Sequence, residues 1–396
     1  MANRQKNCDV LVIGGGVAGI CASVSAARGA RTILVEKNDF PGGTAVIALH
    51  RFICGLYING SEMPADTLNR GIVREISSAL KRLTPEKTVL RMGRVYVLPF
   101  NTRDIVSVFR SLTEAEKQHL DLLYETHAVS VKTVRNTITS VTVCSRNGKF
   151  DIFPKVVADC SGSGVIIRMS GAWYNKTRFC QRQFAGYTFR VKGLKKVDDM
   201  TAVKVPYYLA QEAAKNNIPH YLKFTTFTQG DEADEGYCRL SIPPHENSEA
   251  RNELAKSDAL RVHHFLSQKV PSFRDSMIEE MSPEVADREG LRLRGKYTLT
   301  REDILDAEKF PDGIVKNAWP IELWNQEKGP CYHYPPSGDY YEIPLRCLKS
   351  ENISNLCCAG RCISATHEAT GSVRVMGTCM SVGEQAGREA AAMSDF

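Results

Sequence analysis

Asp9-Val10-Leu11-Val12-Ile13-Gly14-Gly15-Gly16-Val17-Ala18-Gly19 is the stretch that decides the fold of this chain. Its first five residues are an apolar, β-branched run of the kind that forms a strand buried on both faces of a parallel sheet. The run leads directly into a G-x-G-x-x-G pattern in which each glycine has its own task. Gly14 permits the tight turn, Gly16 lets the backbone approach a diphosphate with no Cβ in the way, and Gly19 lets the next helix pack closely. That helix is predicted over Val17 to Arg28, with Ala18, Ala22 and Ala26 as a stripe of small residues. Its first amides, at Val17 and Ala18, and its dipole favour an anion.

Arg31 to Val35 reads as a second strand, and Glu36 stands at its end, where an acid can accept hydrogen bonds from a ribose hydroxyl pair and disfavour a 2′-phosphate. Strand, glycines, small-faced helix, strand and acid in register predict a β-α-β dinucleotide-binding unit. A glycine turn in an unrelated α/β protein is the alternative, and such a turn would not call for Glu36.

Three later segments separate the two common dinucleotides. Lys37-Asn38-Asp39-Phe40-Pro41-Gly42-Gly43-Thr44 is a second glycine turn, and Val156-Val157-Ala158-Asp159-Cys160-Ser161-Gly162 is a strand running into small residues. Asn355-Leu356-Cys357-Cys358-Ala359-Gly360-Arg361 is a short strand before a glycine-rich helix. In this order they resemble flavoproteins of the glutathione-reductase type, which write the second segment as DATG; here Cys160 and Ser161 depart from it but remain small.

The chain as a whole resembles the FAD-dependent oxidoreductase family, related in fold to fumarate reductase and glutathione reductase. Gly42-Gly43-Thr44-Ala45, Leu293 to Thr300, Tyr341 to Cys347 and, most specifically, Ala359 to Gly387 carry the likeness, which is poor between about 175 and 285. The resemblance implies FAD as the cofactor. It puts Lys37, Gly42, Gly43, Thr44, Cys160, Ser161 and Gly162 against the cofactor and the backbone of Ala128 and Val129 against adenine. Gly360, Arg361, Arg374, Val375, Met376, Gly377 and Thr378 then approach the flavin, with the last helix directing its N-terminus at the ring.

The expected fold class is α/β: a Rossmann-type FAD-binding domain with a β-meander, over residues 1–175 and 294–396, interrupted by an α+β substrate domain over 176–293. Helices are expected over Pro64 to Leu83, Thr102 to His119, Tyr207 to Asn216 and Asn252 to Lys269. Strands are expected in a meander over Ala128 to Phe153, turning at Asn147-Gly148, and over Phe184 to Val191.

At 396 residues, with 43% hydrophobic and 24% charged residues, the chain can bury a full core without staples. The surplus of six positive charges is interspersed with acids, which argues against a nucleic-acid partner. No apolar run has the length of a membrane span, and the polar start, Met1 to Asn7, does not read as a signal peptide. Thirteen scattered cysteines without CxxC spacing suggest buried thiols in a reducing cytoplasm, not a metal or redox-disulfide site. A single diphosphate fingerprint argues against a tightly bound nicotinamide donor, so a small-molecule substrate and an external electron donor or acceptor are the expected partners.

Hydride transfer at a flavin calls for a proton acceptor or donor beside the reacting carbon. His367 and Glu368, between Arg361 and Arg374, are the first candidates; a purely local hydrogen bond is the plainer role for each. His50, Arg51 and Tyr57 follow the second glycine turn, and Tyr297, Glu322, His333 and Arg346 come later. Arg292 and Arg294 could clamp a carboxylate, although arginines spaced by two often face solvent. Trp173, Trp319 and Trp324 read as packing residues. The expected reaction is hydride exchange with a small organic molecule; a flavin monooxygenase and a non-catalytic FAD-binding protein remain as alternatives.

Overall fold

The computed structural model describes residues 5–198 and 200–395, so part of the polar start, 1–4, and the final residue, 396, lie outside the described residues. Gln5–Ile13 is the central strand of a seven-stranded sheet, with Thr32–Val35 parallel on one side and Gly148–Asp159 parallel on the other. Leu120–Leu123 extends the sheet beyond Thr32–Val35, and Leu356–Cys358 pairs in parallel with the far end of the long strand. The near end of that strand pairs instead with Thr137–Ser145, which pairs with His127–Val134, so one strand belongs to both the parallel sheet and the meander.

The sequence splits this strand at Pro154, but the structure runs through it. Pairing with the meander reaches Ile152 and pairing with Leu356–Cys358 begins at Val157, so the proline falls between the two partners on that side. A missing N–H is tolerated in such a gap.

The first helix, Val17–Ala27, is covered by the last, Met376–Ser394. A Cβ on Gly383 or Gly387 would overlap the Ala18 or Ala22 carbonyl oxygen, so the alanine stripe serves contact between two helices. Helix Ile72–Leu83 starts later than its pattern suggests because Gly71, at φ +85°, breaks the helical path. Thr102–Ala115 is likewise shorter at its end than expected.

A separate core lies within residues 185–285. An antiparallel sheet ordered Thr226–Gln229, Glu235–Ile242, Ala185–Lys192, Met277–Met281 packs there against helices Thr201–Ala214 and Ser248–Lys269. The chain enters and leaves this unit through one two-stranded neck, Tyr174–Asn175 against Arg292–Leu293. Trp173 sits beside the neck and is half exposed, covered by the Arg294 guanidinium 5.1 Å above its ring; it is not the packing residue expected, whereas Trp319 and Trp324 are buried. Nine of the 13 cysteines are buried, three half-buried and Cys180 exposed, so Cys180 departs from the expected buried thiols. No helix among the described residues is long and apolar enough to cross a membrane.

Candidate active site

Three glycines of the opening turn have different reasons to be glycine. At Gly14, φ is +100° and a Cβ would lie 2.7 Å from the Cys160 carbonyl oxygen, while a Cβ on Gly19 would overlap the Gly14 carbonyl oxygen. Those two are demanded by the chain's own packing. A Cβ on Gly16 would meet nothing within 4 Å, so the chain itself leaves that space open at the start of the helix, where amides favour an anion.

The second glycine turn closes the same surface. Gly42 N donates to Gly15 O at 2.8 Å, Gly16 bridges to Gly42, and a Cβ on Gly43 would stand 3.0 Å from Gly16 Cα. Thr44, exposed beside them, begins a four-residue helix. At the rim, Glu36 is buried and accepts hydrogen bonds from Gly15 N at 2.5 Å, Asn38 N at 2.8 Å and Asn38 Nδ2 at 2.7 Å. Two carboxylate oxygens have capacity for further donors such as ribose hydroxyls.

Thr126 N donates to Glu36 O at 2.9 Å, which brings the start of the meander to this rim. Its register shifts between Ala128 and Ser130, leaving Val129 without a partner residue in the ladder. Lys37 turns away to Glu284, 3.3 Å distant, with both side chains well exposed.

Cys160 backs Gly14 and Gly19. Ser161 is spent locally: its Oγ donates to Asp159 at 2.6 Å and accepts from Gly164 N and Val165 N at 3.1 Å, capping the turn that follows. Gly162 faces Arg361, whose guanidinium donates to the Asp287 carbonyl oxygen. Gly360 lies against Ala18, so the C-terminal segment returns to the start of the first helix. Beyond it, Gly377 N donates to Cys54 O at 2.8 Å, and the Thr378 hydroxyl and Arg374 Nε are buried without a partner. Such orphaned donors fit a ligand rich in acceptors.

His367 is the first residue of the short helix His367–Val373, held by its Thr366 cap. Its Nδ1 is 3.0 Å from Glu289 Oε2 and 3.4 Å from the Thr177 hydroxyl. Burial alone would raise the Glu289 carboxyl, but hydrogen bonds from His367, Thr177 and Gln183 N outweigh it and hold the group below the ordinary carboxylate value. With Glu289 ionised, the Nδ1 that faces it carries a proton and donates to the carboxylate. Arg292 is buried behind this pair, donating to Thr177 at 2.9 Å and Ala365 O at 3.0 Å, whereas Arg294 is exposed and paired with Glu351. The two arginines therefore do not form a clamp, and Arg294 faces solvent as the spacing by two allows.

On the other side of the neighbouring residue Arg288 lies a second group. Arg239 Nη2 donates to His50 Nδ1 at 2.5 Å, Arg288 Nη1 to Phe184 O at 2.6 Å, and Arg374 Nη2 to Glu322 O at 3.0 Å. Arg288 stacks 4.1 Å above Trp324, whose indole N–H donates to the Glu322 carboxylate at 2.6 Å. A Cβ on Gly186 would sit 3.7 Å from Arg288 Nη2 and 3.9 Å from Arg239 Cδ, so the two cations run side by side where the strand carries no side chain. Burial first, then the three arginines, pushes His50 well below its usual value, and the imidazole is neutral. Burial likewise raises the nearby Cys54 thiol to about 12, which makes it no nucleophile at neutral pH.

Of the other early candidates, Tyr57 is buried with its hydroxyl unpartnered among the described residues, and the rest are occupied elsewhere or exposed. Arg51 stacks on Tyr237 and pairs with Asp231, and the Tyr297 hydroxyl donates to Asp303 at 3.0 Å under the Arg346 guanidinium. His333 is exposed; Glu368 occupies the first turn of the short helix, with no ion pair among the described residues. The sequence reading missed Thr177 and Arg239, from the segment where the family likeness is poor, and Arg288 and Glu289, just beyond its end. The adjacent charges of Arg288-Glu289, just before buried Arg292, were the one signal present.

No curated protein matches this sequence. Several solved structures share the fold at low identity. An aromatic hydroxylase from angucycline biosynthesis, CabE, gives a TM-score of 0.53 at 10% identity, over 98% of this chain and 63% of that one. The OxyS anhydrotetracycline hydroxylase from Streptomyces rimosus gives 0.50 at 12%, over 98% and 62%. The p-nitrophenol 4-monooxygenase PnpA from Pseudomonas putida DLL-E4 gives 0.50 at 10%, over 98% and 80%. The chain thus spans less than two thirds of the first two. At sequence level the FAD dependent oxidoreductase family matches residues 9–395. Open space at Gly16, an acid at the rim of the same turn and this match over nearly all of the chain lead to one conclusion: the chain belongs to the FAD-dependent oxidoreductase family and takes FAD as its cofactor.

Proposed function

We propose that this protein moves a hydride between a small organic molecule and the flavin N5, with His367 taking or giving the accompanying proton. The observation that carries the reading is the His367–Glu289 contact of 3.0 Å, which fixes the orientation of the imidazole with Nδ1 toward the carboxylate and Nε2 away from it. FAD, when bound, supplies the two-electron chemistry that no side chain offers.

The chain's own residues divide the remaining work. Gly14, Gly16, Gly19 and the amides of Val17 and Ala18 would hold the diphosphate, Glu36 the ribose, and Ala128 and Val129 the adenine. Gly42, Gly43 and Thr44 would close one side, Cys160, Ser161 and Gly162 the other, and Gly360, Arg361 and Arg374 to Thr378 would meet the ring. The open space at Gly16 and the orphaned Thr378 hydroxyl support this assignment.

For a carbon bearing a hydroxyl or amine, Nε2 of His367 accepts the heteroatom proton as the carbon loses its hydride, and anionic Glu289 stabilises the imidazolium that forms. The reverse direction uses the same pair. Glu289 is a positioning residue in this scheme, and residues 176–293, which supply it, form the substrate-facing domain. A second small molecule or a redox protein returns the electrons.

Anaerobic screening of the FAD-loaded protein against alcohols, hydroxy acids and amines tests the reading. It predicts that a donor bleaches the flavin and is oxidised without oxygen entering the product. A requirement for an external reductant, with a hydroxylated product formed from O₂, would replace it with the monooxygenase reading.

A further inference from the structure

We infer that the molecule accepted at this site is a small dicarboxylic acid, held by Arg239, Arg288 and Arg374 beside His50. The inference rests on the hydride-transfer reading and specifies the substrate class for it. Three guanidinium groups from three distant segments converge here: Arg239 from strand Glu235–Ile242, Arg288 from the loop before the neck, and Arg374 from the junction of the last two helices. Glu322 is the acid that faces them, and its carboxylate already accepts from Trp324 Nε1 at 2.6 Å. With His50 neutral, Glu322 offsets one of these three cations, and Glu289, which also faces Arg374, is already engaged by His367 and Arg292 while Arg361 adds a further positive charge.

An isolated buried charge is expensive unless paired, so a site of this composition is completed by a ligand carrying two negative charges. The geometry suits carboxylates. Arg374 Nε is buried with no partner, Arg288 spends only Nη1 on Phe184 O, and Arg239 spends Nη2 on His50. Each guanidinium therefore keeps part of its fork of five donors, the arrangement that binds carboxylate oxygens in pairs. Arg239 and Arg374 are not sealed from solvent, and Tyr332, nearly half exposed beside them, marks the open side. Outside, a cleft at Thr177 is lined by Lys176, Arg178 and Arg182 with Glu246 as its acid, a field that draws anions toward the His367–Glu289 pair.

The test is titration calorimetry on the FAD-loaded full chain with malonate, succinate and glutarate, and with succinamide and inorganic phosphate as comparisons. At least one dicarboxylate is expected to bind saturably and at least tenfold more tightly than either comparison. Arg288→Met should weaken it tenfold or more; Arg288→Lys, which keeps the charge but loses the fork, gives the same direction if the first variant fails to fold. Glu322→Gln should tighten binding, and Arg294→Met, outside the site, should leave it unchanged. Absence of binding by every dicarboxylate, equal binding of succinamide or phosphate, or weaker binding in Glu322→Gln would each overturn the inference. Because binding is read without turnover, that failure is separable from failure of hydride transfer, which the bleaching screen reads by itself.

Discussion

The two halves of the candidate site are built from different materials. The cofactor surface around Gly14, Gly16 and Gly42 is backbone, shaped by residues with no side chain, and its rim acid Glu36 is held by Gly15 of the first glycine turn and by Asn38 beside it. The pocket around His367 and Arg239 is side chain throughout: two imidazoles, four arginines counting Arg292, and two carboxylates assembled from separate regions. A backbone surface recognises what all members of a cofactor class share, a diphosphate and a ribose. A charged pocket can be re-cut by single substitutions and is where substrate choice resides.

Breaking the backbone half should have the largest effect. Gly19→Ala drives a methyl into the Gly14 carbonyl, so a loss of about 3 kcal/mol in stability is expected, with no flavin retained, measured by thermal melting and absorbance. Gly16→Ala sharpens the contrast. Nothing in the chain opposes its methyl, so the flavin-free protein should melt as the parent does while FAD affinity falls at least about tenfold. An equal fall in melting temperature for both variants would mean that Gly16, too, is only structural.

The charged half should reveal itself through pH. His50 has its proton affinity depressed in the folded state, so the unfolded chain takes up a proton that the folded chain refuses. Stability therefore falls as pH drops below about 6.5, by at most about 1.4 kcal/mol per unit from this group. Glu289 has a depressed folded value as well, and its contribution is present above the unfolded carboxyl value and lost as pH falls through the folded one. Chemical denaturation of His50→Gln between about pH 7.5 and 5.5 should show a smaller loss than the parent; the same loss would remove His50 from the explanation. Smallest of all, Lys37→Ala should change stability by less than about 1 kcal/mol and leave FAD affinity intact, because Lys37 reaches to exposed Glu284 and not to the cofactor surface.

The same contrast explains what could be read from the sequence. Gly14 to Gly19, Glu36 and Gly42-Gly43 lie within 30 residues of one another, and their function depends on spacing that a linear chain displays directly. Even the bulge at Val129 falls where the family likeness puts adenine. The Arg239, Arg288 and Arg374 group spans 136 residues and exists only because a sheet, a neck and a helix junction meet. No periodicity marks such a convergence. The sequence singled out His367 from its position before the last helix but not its partner Glu289, since 78 residues separate them. Arg292 and Arg294 show the reverse error: a spacing that suggests a shared face, on a strand too short to hold it, with one side chain buried and the other in solvent.

Rapid mixing of the anaerobic, FAD-loaded protein with a donor that bleaches it, parent beside His367→Ala, tests the central claim most directly. The account predicts unchanged flavin content and flavin reduction slowed by about 100-fold or more in the variant. Equal rates in the two proteins would contradict it and remove His367 from the chemistry.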